Sequence, residues 1–322
     1  MGGRGAPAGR ETEGMAPRPS LQLTKHHGAG NDFLVLLDMD DRRRLGAEEV
    51  RALCDRRRGV GADGVLRVTA PGPGADIGME LHNADGSPAV MSGNGIRCLT
   101  QAAVDAGVVR PGPVTVSTPV GLRHVEYRAE RGAGAGYASV DMGLVELGAE
   151  LDASQRHERW RAGAGTVAGD GSDALLRSVE RGRMVTTGNP HLVLWTAPVG
   201  PEVVATLGAA LDAGVAGGAN VEFVWAGPRA GELTLRVWER GAGMTLACGT
   251  GSCAAAGAAL AWGLGRDRVV VHNPGGALEV TLTDGSARLA GPTQRVGDVV
   301  VDEEILAVLA GLPDVLGARA AG

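Results

Sequence analysis

A long internal repeat constrains this chain more than any other feature. Ser92-Gly93-Asn94-Gly95 and Cys248-Gly249-Thr250-Gly251 stand 156 positions apart (92 to 248). Each opens a run of residues that favour helix. At the same displacement Asn83 falls on Glu239. At a displacement of 158 (30 to 188), Gly30-Asn31-Asp32-Phe33-Leu34-Val35 falls on Gly188-Asn189-Pro190-His191-Leu192-Val193. Self-similarity at one long period signals a duplicated domain, not a solenoid. A chain with 53 Gly offers chance matches between turns, but several motifs in the same order argue for duplication. Two copies would face each other across a cleft, each aiming one helix start inward. Clefts between domains are a usual place for a small ligand.

The second copy carries the sharper chemical signal. Cys248 stands where a glycine-rich turn becomes an alanine-rich helix. The free N–H groups of a helix start are partly positive, so they are expected to lower the thiol's pKa. The flanking glycines would let those N–H groups approach an anion. The plainer alternative is a buried cysteine that packs as a small hydrophobe.

Composition narrows the function classes. The net charge is -6, and only 5 Trp, 2 Tyr and 2 Phe are present, which leaves little for nucleic acid to stack on. No apolar run is long enough to span a bilayer. Residues 1–20 have no apolar segment and read as a disordered tail, not a secretory leader. The cysteines at 54, 98, 248 and 253 lack metal-type spacing, so reduced thiols in a cytoplasm are expected. The arginine runs at 42–44 and 56–58 sit beside acids and read as solvated helix faces.

Hydrophobic spacing predicts strands at 33–37, 65–68, 77–82, 114–118, 123–127 and 139–142, with helices over 47–57 and 96–106. The second half repeats the scheme. A glycine turn and strand lie within 184–195, a helix at 203–211, and strands at 221–225, 234–238, 269–272, 278–282 and 286–290. A segment at 299–301 is expected to return to the first half, ahead of a helix at 303–310.

Seven motifs now stand in order: HGAGNDF at 27–33, GVGADG at 59–64, NADGS at 83–87, SGNGIRC at 92–98, TGNPH at 187–191, GANV at 218–221, and ERGAG with ACGTG across 239–251. In this order they resemble the diaminopimelate epimerase family from about Leu21 to Val301. The resemblance implies an α/β (α+β) fold of two pseudo-symmetric lobes, each a curved, mostly antiparallel sheet or barrel around a central helix. It implies lobes at 21–143 and 144–293, with 294–312 returning to the first and the site in the cleft between them.

The implied chemistry interconverts LL- and meso-2,6-diaminopimelate, with no pyridoxal phosphate, metal or other cofactor. One group removes the α-proton and another supplies a proton to the opposite face. The family's two acid/base groups are cysteines, and Cys248 matches the second. The first falls on Ser92, a departure, because a hydroxyl is a poor base but still donates or relays a proton. Cys98 is no substitute, since it lies roughly 9 Å further along the helix. The resemblance assigns substrate contacts to Asn31, Asn83, Gly93, Asn94, Asn189, Asn220, Glu239, Arg240, Gly249 and Thr250, with His191 in support. The guanidinium of Arg240 suits a carboxylate. The expected partner is a small amino-acid substrate, and a homodimer is compatible with it. Two further readings stay open because of Ser92. One is an isomerase of the same fold acting on another amino-acid-like compound. The other is a binding protein that kept the cleft and lost the chemistry.

Overall fold

A computed structural model describes residues 19–151 and 179–311. The expected tail lies outside the described residues up to position 18, and Ser20 already begins the first strand. The first half holds β1 (Ser20–Gly28), β2 (Asn31–Asp38), helix α1 (Ala47–Cys54), β3 (Gly64–Thr69), β4 (Ile77–Asn83), the short β5 (Pro88–Ala89), helix α2 (Gly93–Asp105), β6 (Gly112–Thr118), β7 (Gly121–Ala129) and β8 (Ala135–Leu144). Next come β9 (Glu146–Glu150), β10 (Arg181–Thr186), β11 (Pro190–Trp195), helix α3 (Pro201–Gly214), β12 (Asn220–Ala226), β13 (Leu233–Glu239), the short β14 (Gly243–Met244) and helix α4 (Gly249–Ala261). The chain finishes with β15 (Arg268–Asn273), β16 (Gly276–Thr283), the long β17 (Ser286–Asp302) and helix α5 (Glu303–Ala310).

The strand pairing is duplicated residue for residue. β2 and β3 are parallel with Phe33 opposite Gly64, and β11 and β12 are parallel with His191 opposite Asn220. β4 pairs parallel with β6, and β13 pairs parallel with β15. All other pairings are antiparallel. Two long strands tie the halves together. β17 pairs with β8 over Ser286–Gln294 and then crosses to pair with β1 up to Asp302. In the mirror arrangement, the chain leaves β8 to form β9, which pairs with β10. Both sheets therefore close into barrels, giving the two pseudo-symmetric lobes. We propose lobe boundaries at 21–143 and 144–293; the pairing of β17 with β1 supports a return of 294–312 to the first.

A helix fills each barrel. α2 and α4 each run for 13 residues, and Gly107 and Gly263 follow their C-caps at φ +73° and +72°. Glycine adopts that left-handed turn without a steric penalty. α4 is nearly all alanine and glycine because the barrel wall lies against it. A Cβ on Gly257 would sit 2.6 Å from Val145 Cγ1. α2 instead buries Ile96, Cys98 and Leu99. Cys54 is core, as expected.

The arginine runs differ from expectation. Residues 42–44 and 56–58 lie in loops and turns flanking α1, not on a helix face. Arg43 ties Glu49 to Glu303, and Arg56 ties Asp32 to Asp63. Their neighbours across the fold are acids, so the runs pin loops in place. Among the described residues, no helix is long and apolar enough to cross a membrane.

Candidate active site

The two helix starts meet. A Cβ built on Gly249 would lie 3.2 Å from Gly93 Cα, and one on Gly93 would strike Leu289 and Met142. Only glycine allows this approach at both positions. The caps are equivalent in geometry. Ser92 Oγ accepts from Gly95 N at 3.0 Å, and Cys248 Sγ accepts from Gly251 N at 3.3 Å. Asn94 stitches the two starts together. Its Nδ2 donates to Ala247 O at 3.0 Å and to Asn31 Oδ1 at 3.2 Å. Two sets of free N–H groups thus converge on one point, where the helix dipoles add. Gly249→Ala should disturb this meeting directly. We expect a loss of about 1–3 kcal/mol from overpacking, read as a fall in Tm, together with weaker substrate binding by calorimetry.

A cavity of about 1000 Å³ opens above the caps. Its walls include Asn31, Asn83, Ser92, Glu239 and Arg240, drawn from both halves of the chain. Cys248 is only 4% exposed and lies outside that lining. The other residues assigned by resemblance also lie outside it. Asn220 is buried, and its Oδ1 accepts from Arg240 N at 2.9 Å. Asn189 Oδ1 is 3.1 Å from His191 Nε2. The Asn94 amide is occupied in joining the helices, which leaves its backbone as the group nearest a ligand. Arg240 donates from Nη1 to Gly217 O at 2.6 Å and stays exposed.

The electrostatics around Cys248 reverse the expectation drawn from its helix start. Burial pushes its thiol well above the usual cysteine value, and the carboxylates of Glu239 and Glu222 push the same way. The Thr250 hydroxyl and the Gly251 N–H pull it down but do not win. Desolvation raises Glu239 too, and it receives a hydrogen bond from Thr245. The resting thiol is therefore neutral, with the Glu239 carboxylate beside it as a hydrogen-bond acceptor.

Sequence reasoning missed Glu222. It is fully buried beneath α4, with Oε1 2.7 Å from His191 Nδ1 and Oε2 unpartnered. Its register equivalent in the first half is Leu66, and that of His191 is Phe33. One half thus backs its cap with an acid and an imidazole, the other with apolar side chains. Extending the repeat along β3 and β12 would have found this difference. Among the described residues, no group of three or more His, Cys, Asp or Glu is placed to hold a metal ion.

Two like barrels, each around a helix whose start meets the other's, define a two-lobed, pseudo-symmetric class of fold. The chain belongs to the diaminopimelate epimerase family, whose model matches residues 23–148 and 183–296. It is 37% identical to a diaminopimelate epimerase of Mycobacterium avium over 305 residues, covering 88% of this chain and 98% of the relative. The corresponding protein of Thermobifida fusca is 38% identical over 295 residues, covering 87% and 98%. In fold it is similar to a hydroxyproline epimerase from Agrobacterium vitis solved with trans-4-hydroxy-L-proline, with a TM-score of 0.65 at 18% identity, covering 94% of this chain and 98% of that one.

Proposed function

We propose that this isomerase interconverts LL- and meso-2,6-diaminopimelate, supplying lysine and peptidoglycan synthesis. Family membership supports the substrate. The meeting of the two helix starts at Gly93 and Gly249 is the observation that carries the chemistry.

An α-proton beside a carboxylate is very weakly acidic, and its removal adds charge to a group already anionic. On this reading the α-carboxylate sits on the N–H groups of Gly93, Asn94, Gly249 and Thr250, which are already oriented for the developing charge. Cys248 addresses one face of the α-carbon. Its own proton passes to Glu239, and the resulting thiolate takes the α-proton. Ser92 addresses the other face and relays a solvent proton to it. Its Oγ is already the acceptor for Gly95 N–H, which leaves its hydroxyl hydrogen free to donate. Asn31, Asn83, Asn189, Asn220 and Arg240 make up the polar surroundings for the distal amino and carboxyl groups, and His191 supports the Cys248 side. The two faces supply both acid/base groups, so the reading calls for no cofactor.

Purified protein incubated with LL-diaminopimelate is expected to yield the meso form, resolved by chiral chromatography. Failure to convert either stereoisomer would overturn the assignment.

A further inference from the structure

Two arginines are buried among the described residues, and they are treated oppositely. Arg67 sits between acids, with Nη2 2.6 Å from Asp38 and Nη1 2.9 Å from Glu80. Arg97 is completely buried and, among the described residues, pairs with no carboxylate. Nη1 donates to Gly93 O at 2.9 Å and Nη2 to Asn94 Oδ1 at 2.9 Å, while Nε has no partner. Burial lowers its pKa to about 10, which leaves it charged at neutral pH. A buried charge without a counterion is strongly unfavourable, and folds seldom retain one without a use.

Position makes the use specific. The guanidinium holds the carbonyl of Gly93, the residue that meets Gly249, and the amide of Asn94, which reaches Ala247. It therefore lies directly behind the point where both helix starts converge. The equivalent position in the second half, five residues past its cap, is Cys253, so the duplication does not require a charge there. The Cys248 side carries Glu222 and Glu239 instead. The site is electrically polarised, with a cation behind Ser92 and acids around Cys248.

We propose that Arg97 is a positioning residue that supplies a standing positive charge behind the joined helix starts, and that the anion bound there is the counterion the fold leaves out. On the reading above, that anion is the α-carboxylate of the amino acid; the charge argument itself does not depend on which amino acid binds.

The test uses charge-matched probes at Cys248. Alkylation by iodoacetate and by iodoacetamide would be followed at Cys248 by peptide mass. Their rate ratio cancels the thiol's own reactivity and reports the potential at the site. The comparison is made against wild type, because Glu222 and Glu239 also act on the potential at Cys248. Arg97→Gln keeps an N–H for Gly93 and removes the charge. It should lower the ratio by about tenfold, the low end of what a focused field does to a local ion concentration. Arg97→Lys should restore it. An unchanged ratio in Arg97→Gln overturns the proposal, and so does an equal fall in both variants, which would mark a role for fork geometry instead of charge. None of these readings needs diaminopimelate turnover, so failure here and failure of the proposed activity are told apart.

Discussion

Cys248→Ala is expected to lower kcat/KM for inversion by about 10³-fold, within the range for a positioned acid/base group. The loss should fall on kcat. The carboxylate nest is backbone, built by Gly93 and Gly249, and it survives the change, so KM should move little. Cys248→Ser is the sharper comparison. Serine is a favoured N-cap and would accept from Gly251 N as Ser92 accepts from Gly95 N, so the helix start should persist. What disappears is the acidity of the thiol. A variant with a wild-type Tm and a collapsed kcat would locate the chemistry at sulfur. Unchanged kinetics with tight ligand binding would point instead to a binding protein that kept the cleft.

Ser92→Cys is expected to raise the inversion rate, by about 10²-fold if proton transfer on that face limits turnover. A thiol titrates near 8.5 and a serine hydroxyl far higher, so only the thiol reaches a useful basic form near neutral pH. The substitution is structurally mild. Cys248 already performs the same capping task in α4. Reversibility sharpens the test, because in one direction the Ser92 side must remove a proton instead of donating it. If the native protein shows no activity on diaminopimelate and the variant does, the native substrate is another amino-acid-like compound.

The fold was legible in the sequence to the extent that it was repeated. The offset of 156 placed both central helices and their caps. The return of 299–301 to the first half was also legible, and Val299 and Val301 pair with Leu23 and Leu21. Of the residues the sequence proposed for the site, Asn31, Asn83, Ser92, Glu239 and Arg240 line one cavity. Three features were not, each because it depends on distant neighbours. The Cys248 thiol was expected to be acidified by its helix start, but burial and two carboxylates outweigh that local field. Arg56 read as part of a helix face, yet it lies in a turn after α1 and, still exposed, bridges two aspartates at the rim of the cavity. Arg97 lies within the SGNGIRC motif and Glu222 within the strand at 221–225, and only the comparison of one half with the other shows that neither charge has an equivalent in the other half.

The central claim is that one α-carbon sits between Cys248 and Ser92 and exchanges its proton with groups on opposite faces. Incubation with each stereoisomer of diaminopimelate in deuterium oxide, followed by NMR, tests it directly. The account predicts that every inverted α-carbon carries solvent deuterium, and that this incorporation is lost in Cys248→Ala. Absence of both exchange and inversion with LL- and meso-diaminopimelate, or inversion that retains the original proton, would contradict it.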